Sequence, residues 1–158
     1  MLNNNLNNGG TMSFAKVGLI AGTTSTYTTT VATDFIIDGK FGVQLAIKTN
    51  QATPTTDART GLAFPTLSDD DACALVFGVN AAGAIQMVQG DLKTIEAGTT
   101  DFVITPPFPS LPADFCPIGY CLVKNDSGSD FIAGTTAWSA VDTTFVNVSM
   151  LPDRPQES

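Results

Sequence analysis

The chain has 158 residues, enough for one domain that buries roughly 68–70% of its unfolded surface. A net charge of −8, with only seven scattered Lys and Arg residues, excludes a phosphate-binding surface, so neither DNA nor RNA is expected as a partner. Threonine is the commonest residue, glycine and proline are plentiful and only 14% of residues are charged, a mixture that favours strands and turns over helices.

No apolar run reaches transmembrane length, and the polar N-terminus lacks the charged-then-hydrophobic order of a secretory signal. A soluble chain made in a cytoplasm, with no membrane partner, is the expectation. Three cysteines cannot all pair. Cys116 and Cys121 differ by an odd number, so on a continuous strand they face opposite ways, and free buried thiols are expected at Cys73, Cys116 and Cys121.

Residues 1–13, Met-Leu-Asn-Asn-Asn-Leu-Asn-Asn-Gly-Gly-Thr-Met-Ser, are too polar and glycine-rich to bury much surface. They read as an extended N-terminal arm ahead of a β domain at 14–151 and a short tail at 152–158. Phe14 to Ile20 suggests a first strand, and the Thr-rich stretch from Tyr27 to Thr33, weakly alternating, suits an edge or solvent-washed strand. Asp38-Gly39 between Phe35-Ile36-Ile37 and Lys40 to Ile47 is the signature of a type I′ hairpin. On its return strand Phe41, Val43, Leu45 and Ile47 share one face, assigned to the core.

Asn50 to Ser68 lacks periodicity and reads as a long surface loop, with Leu62, Phe64 and Leu67 as anchors. Asp69, Asp70 and Asp71 invite a calcium proposal. Successive side chains diverge on an extended backbone, however, whereas a hard cation needs converging oxygens, so a solvated turn is preferred. Cys73 to Asn80 and Ala84 to Gln89, joined by Ala81-Ala82-Gly83, form a second predicted hairpin. Leu92 to Ala97 is a turn of helix or a brief strand, and Asp101 to Thr105 a short strand.

Pro106, Pro107, Pro109, Pro112 and Pro117 then remove backbone donors, so their segment is expected to be extended, neither helix nor interior sheet. It leads into a buried strand from Ile118 to Val123, closed by the turn residues Asn125-Asp126-Ser127-Gly128. Gly119 leaves room there for a close neighbour. Phe131 to Ser139 and Thr143 to Met150 complete the predicted strands, before Pro152 and Pro155 end order. Ala-Gly-Thr-Thr recurs at 21, 97 and 133, unequally spaced, as reused turn chemistry.

The chain has no histidine, which removes Ser-His-Asp, Cys-His and most zinc-hydrolase arrangements together. There is no Gly-rich phosphate loop. Asp126 and Asp130 have the spacing of a hairpin turn more than that of a glycosidase pair. Neither an enzyme nor a cofactor is expected. Asn125-Asp-Ser and Asn147-Val-Ser match a glycosylation pattern that has no meaning without a secretory route. Trp138, with Tyr27 and Tyr120, is a core or interface aromatic or, alternatively, a stacking surface for a sugar.

The arrangement Val17-Gly-Leu-Ile, Ile37-Asp-Gly-Lys, Val79-Asn-Ala-Ala-Gly-Ala-Ile, Cys116-Pro-Ile-Gly-Tyr, Ile132-Ala-Gly-Thr-Thr-Ala and Phe145-Val-Asn-Val-Ser resembles small structural proteins of tailed bacteriophages. The resemblance spans residues 17–152 and rests on turn and strand patterns. It implies a capsid decoration or cement protein, or a head fibre, on the outer capsid surface of the virion. The partners it implies are the major capsid protein and copies of the same chain as a homotrimer. Leu2, Asn3, Asn4, Asn5, Leu6, Met12 and Phe14 are the candidate capsid or neighbour contacts. Trp138 and Tyr27 are the candidate ligand contacts of the alternative, a receptor- or carbohydrate-binding module of a head fibre or tail appendage. The expected fold is an all-β, single-domain β-sandwich, with jelly-roll-like or barrel-like closure as alternatives. The sandwich is chosen because a crossing proline segment suits a connection between sheets.

Overall fold

The structure, a computed structural model, describes residues 10–157. In chain order the strands are β1 (Met12–Ser13), β2 (Ile20–Ala21), β3 (Thr26–Thr29), β4 (Phe35–Ile37), β5 (Lys40–Phe41), β6 (Lys48–Ala52), β7 (Asp71–Val79), β8 (Ile85–Gln89), β9 (Lys93–Thr94), β10 (Cys116–Asn125) and β11 (Asp142–Asn147). One 3-10 turn, Trp138–Ala140, is the helical element among the described residues. The fold is all-β, as expected, and its three packed sheets are consistent with a sandwich.

The main sheet runs β11-β10-β7-β8, with β9 beside the start of β7, and every pairing is antiparallel. Two three-stranded sheets, β1-β4-β5 and β2-β3-β6, accompany it. All ten residues of β10 are buried, and so are eight of the nine in β7. A strand buried on both faces reads as a continuous apolar run, which Ala72 to Val79 and Ile118 to Val123 are.

Each face of the main sheet has its own cover. On one, Cys73, Leu75, Phe77, Cys121 and Val123 pack with Val17, Leu19, Phe35, Leu45, Phe131 and Trp138, contributed by the small sheets and loops. On the other, Ala74, Val76, Val88, Tyr120 and Leu122 lie with Phe115, Val148 and the flanking Phe102, Phe108, Leu111 and Leu151. The proline segment therefore leaves and re-enters the same sheet and covers one of its faces. It does not connect two sheets, as the sequence suggested.

Pro117 overturns the expectation that none of these prolines lies inside a sheet. It pairs with Gly78 inside β10, at a bulge between Pro117 and Gly119. A bulge tolerates the missing donor, and the extra residue changes the strand's parity. Cys116, Ile118, Cys121 and Val123 accordingly all belong to one cluster, so Cys116 and Cys121 do not face opposite ways. Gly119 behaves as expected: a Cβ there would stand 2.9 Å from Leu19 Cδ2 and 3.0 Å from the Val146 carbonyl oxygen.

Both predicted hairpins form. Asp38 and Gly39 take φ of 50° and 76°, the left-handed pair that a type I′ turn requires. Past the turn, only Leu45 of the four residues assigned to the core is buried, while Phe41, Val43 and Ile47 are exposed. The strand stops at Phe41, so no single period runs on to Ile47, and Leu45 returns to the core through an isolated bridge with Thr33. Gly42 sits against the Phe35 ring, where any Cβ would enter the ring, while its neighbours Phe41 and Val43 face outward.

Other stretches also differ from the sequence reading. Phe14 to Leu19 is irregular between β1 and β2, and β3 is the central strand of its sheet, not an edge. Of the three loop anchors, Phe64 and Leu67 are buried and Leu62 is exposed. Phe102 makes only an isolated bridge with Ile95, and Phe131 only one with Leu67, so neither predicted strand forms there. The tail does not end order at Pro152: the Tyr120 hydroxyl and the Gln156 backbone exchange hydrogen bonds of 2.9 Å, and Lys124 Nζ lies 2.9 Å from Glu157 Oε1.

Side-chain amides fasten the irregular segments to the sheet. Asn147 accepts from Leu19 N–H at 2.5 Å and donates to the Leu19 carbonyl at 3.1 Å, imitating a strand partner. Asn125 donates to the carbonyls of Leu67, Ser68 and Ser129 at 2.8–3.1 Å. Satisfying buried backbone groups in this way lets loops lie where a strand otherwise would.

Gly42→Ala is expected to lower stability by about 1–3 kcal/mol through overpacking against Phe35, with most of the loss recovered in Gly42→Ala/Phe35→Leu. Denaturant melts of the two variants beside the parent measure it.

Candidate interaction surface

The sugar-stacking candidates prove to be core residues. Trp138 is 2% exposed and Tyr27 4% exposed. The Trp138 ring stands 5.4 Å from Phe145, 5.8 Å from Phe131 and 6.3 Å from Phe77, and its Nε1 donates to the Thr26 carbonyl at 2.9 Å. Tyr27 stands 6.1 Å from Phe77 in the same cluster, and burial raises the pKa of its hydroxyl. Neither ring offers an open face to a ligand, and the reading of these aromatics as core residues holds. Tyr120 is also fully buried.

The candidate acids serve the backbone. Asp69 accepts from Gly128 N–H at 2.9 Å and Asp71 from Ser68 N–H at 3.1 Å, while Asp70 takes the turn φ of 63°. Asp57, which the sequence did not single out, is the buried carboxylate among the described residues. Its two oxygens accept from the backbone N–H groups of Arg59, Thr60 and Gln89, which fixes the loop beside β8. Asn125 of the first glycosylation pattern is wholly buried, its amide engaged as described.

All three cysteines are free and buried. Burial pushes the Cys116 thiol up to about 12, and burial, reinforced by Asp71, pushes Cys73 higher still. Cys121 is raised chiefly by burial, with Cys73 and Asp142 adding to the shift and a backbone hydrogen bond at Thr144 opposing it. These are packing thiols with little thiolate character.

One exposed apolar surface lies on the first hairpin. Leu2, Asn3, Asn4, Asn5 and Leu6 fall outside the described residues. Met12, placed in the arm, belongs to β1 and pairs with Ile36. The adjoining Ser13 is fully buried and donates its N–H to the Ser149 carbonyl at 3.1 Å. Gly10 accepts from Gly39 N–H at 3.1 Å, and Thr11 Oγ1 accepts from Asp38 N–H at 3.0 Å. The root of the N-terminal segment is thus bonded to the hairpin tip.

Beside that root Phe14 and Phe41 form an edge-to-face pair at 5.8 Å, with 51% and 73% of their surface exposed. Val43, 61% exposed, extends the apolar surface towards the β7–β8 turn, where its N–H donates to the Ala81 carbonyl at 2.9 Å. Phe14 was among the predicted contacts. Phe41 and Val43 were not, although glycine at position 42, breaking the run of side chains, was the signal for their outward turn.

A groove of about 650 Å³ opens between the proline segment and the tail, lined by Phe108, Leu111, Phe115, Met150 and Leu151 together with Asp38 and Asp153. Thr11 and Ser110 complete the polar part of its lining.

No protein-family model, no curated protein and no solved structure matches this chain.

As the chain's one tryptophan, Trp138 reports on this cluster directly. Its emission is expected to be blue-shifted and shielded from iodide in the native protein, and red-shifted and quenchable after unfolding. The three thiols are expected to resist Ellman's reagent at pH 8 until denaturant is added. Because the folded state keeps Cys116 neutral above its ordinary value of 9, the stability linked to it is complete below pH 9 and lost as pH rises towards about 12. Unfolding midpoints across that window measure the fall.

Proposed function

We propose that this chain is a structural protein of a bacteriophage particle: a capsid decoration or cement protein that binds the outer capsid and stabilises it by bridging capsid subunits. The observation that carries this reading is the rooted N-terminal segment beside the exposed Phe14–Phe41 pair. A segment that starts from a fixed point on a rigid sheet loses less orientational freedom on docking than one hung from a mobile linker. A partner bound across several subunits also adds its binding free energy to the assembled state alone.

The resemblance in strand and turn pattern to small phage structural proteins supports the same reading. In it Leu2 to Leu6 reach the major capsid protein, and copies of the chain associate as a homotrimer after synthesis in the host cytoplasm. The burial of Trp138 and Tyr27 leaves the alternative, a receptor- or carbohydrate-binding module of a head fibre or tail appendage, without its two stacking rings.

Quantitative mass spectrometry of purified particles is expected to find this chain at a copy number comparable to that of the major capsid protein. Absence from particles would overturn the reading. Deleting residues 1–9, which leaves β1 in place, is expected to preserve the Trp138 emission and abolish attachment to the capsid. Undiminished attachment of the shortened chain would remove the role given to Leu2 to Leu6.

A further inference from the structure

The C-terminal segment is held against the main sheet by few bonds. Among the described residues no backbone–backbone hydrogen bond fastens residues 150–157. Ser149 is the last point so held, its carbonyl accepting from Ser13 N–H, and Met150, 49% exposed, follows it. Beyond that point the polar attachments are made by side chains of β10. The Tyr120 hydroxyl donates to the Gln156 carbonyl and accepts from the Gln156 N–H, and Lys124 pairs with Glu157. Pro155 is buried, whereas Asp153, Arg154, Gln156 and Glu157 are exposed.

The seat calls for a carboxylate. Lys124 is 9% exposed, and its ammonium lies 4.3 Å from the centre of the Phe102 ring. Asp142 stands opposite Lys124 in the register of β11, yet the ion pair is made with Glu157. A buried ammonium that loses its carboxylate is left uncompensated, at a larger cost than the pair itself contributes, so an empty seat is unfavourable. Tyr120 is fixed beside it by edge-to-face packing on Phe108 at 4.9 Å.

The segment does not fill the space it crosses. The groove of about 650 Å³ runs beside Met150 to Asp153, and a second of about 700 Å³, lined by Ile104, Thr105 and Pro107, runs beside Asp153 to Gln156. Phe108 and Asp153 line both. The segment thus stands off the proline segment along most of its length and is fastened at its far end.

We propose that this tail is exchanged between copies, Pro155, Gln156 and Glu157 of one copy taking the Tyr120–Lys124 seat of the next. The structure shows one sequence that satisfies the seat, and a second copy carries the same sequence. Every bond broken on leaving is remade in the neighbour, which makes exchange of an identical element a low-cost route to association. Pro152 and Pro155 hold φ at about −65°, so the segment gives up little freedom when it is seated elsewhere. Asp153 and Arg154, exposed and opposite in sign, leave Glu157 as the net charge it delivers. Eight residues follow Ser149 as far as Glu157, about 28 Å at full extension, which reaches an adjoining copy while Ser149 stays in place. The inference takes from the preceding reading only the premise that copies associate, and it names the element that joins them.

Carbodiimide coupling of the full-length chain tests this without altering the sequence, because it joins Lys124 to Glu157 only where the two are in direct contact. An equal mixture of unlabelled and nitrogen-15-labelled chains is incubated, coupled and digested. Linked Lys124–Glu157 peptides with one light and one heavy half come only from exchanged tails. Their share of the linked peptides is expected to rise with protein concentration towards about half, the value for random exchange. A share that stays at zero at every concentration shows each tail closed on its own copy and overturns the proposal.

Sedimentation equilibrium with Lys124→Glu and Glu157→Lys gives an independent reading. Each variant alone sets like charges together in its seat. In a mixture the intact tail of the first fits the intact seat of the second, and the two reversed groups likewise face each other. The mixture is expected to associate about tenfold or more tightly than either variant alone, and a mixture no tighter than the separate variants overturns the proposal. Trp138 emission checks that both variants are folded, and the coupling experiment depends on neither. The particle copy number is read separately, so failure here is distinguishable from failure of the virion reading.

Discussion

Two-sided burial of the β7–β10 pair is the constraint on which the other segments depend. Their facing residues leave no polar side on which the sheet could meet water, so the chain must supply an apolar layer above and below. Regular strands supply only part of either layer. The small sheets and the Phe131–Trp138 stretch close one face, and the proline segment and C-terminal tail close the other. Segments that look like linkers by composition therefore carry core residues, among them Leu19, Phe115 and Phe131.

Irregular backbone in contact with a core needs its polar groups satisfied, and this chain uses side chains to do it. Asn147 with Leu19, Asn125 with the turns at Ser68 and Ser129, and Asp57 with the loop at Arg59 perform the role that a neighbouring strand performs elsewhere. Losing one of these amides or carboxylates strands a backbone donor or acceptor away from water, a larger penalty than the net worth of a typical hydrogen bond. Polar side chains with a structural duty of this kind resemble a functional cluster in the sequence and are not one.

Much of the framework was legible in the sequence because it rests on local chemistry. Asp38-Gly39 names its turn through two positive φ values, and the apolar runs of β7 and β10 name themselves by length and bounding turns. What was lost was parity. A period-two reading holds only while the strand runs unbroken, and the end of β5 at Phe41 and the bulge at Pro117 each interrupt it. One error put Phe41 and Val43 in the core, and the other separated Cys116 from Cys121. Trp138, read first as a core or interface aromatic, is one, although the partners that bury it, Phe77, Phe131 and Phe145, could not be named before the fold. Of the candidate surface, Phe14 was legible.

Fixing Gly10 to the tip of the first hairpin also decides where a mechanical load goes. A pull on the backbone at Gly10 is carried through Gly39 and Asp38 into the first hairpin, and through Ser13 into the backbone at Ser149. Two segments more than a hundred residues apart therefore share any load applied there, and neither hairpin nor tail yields alone.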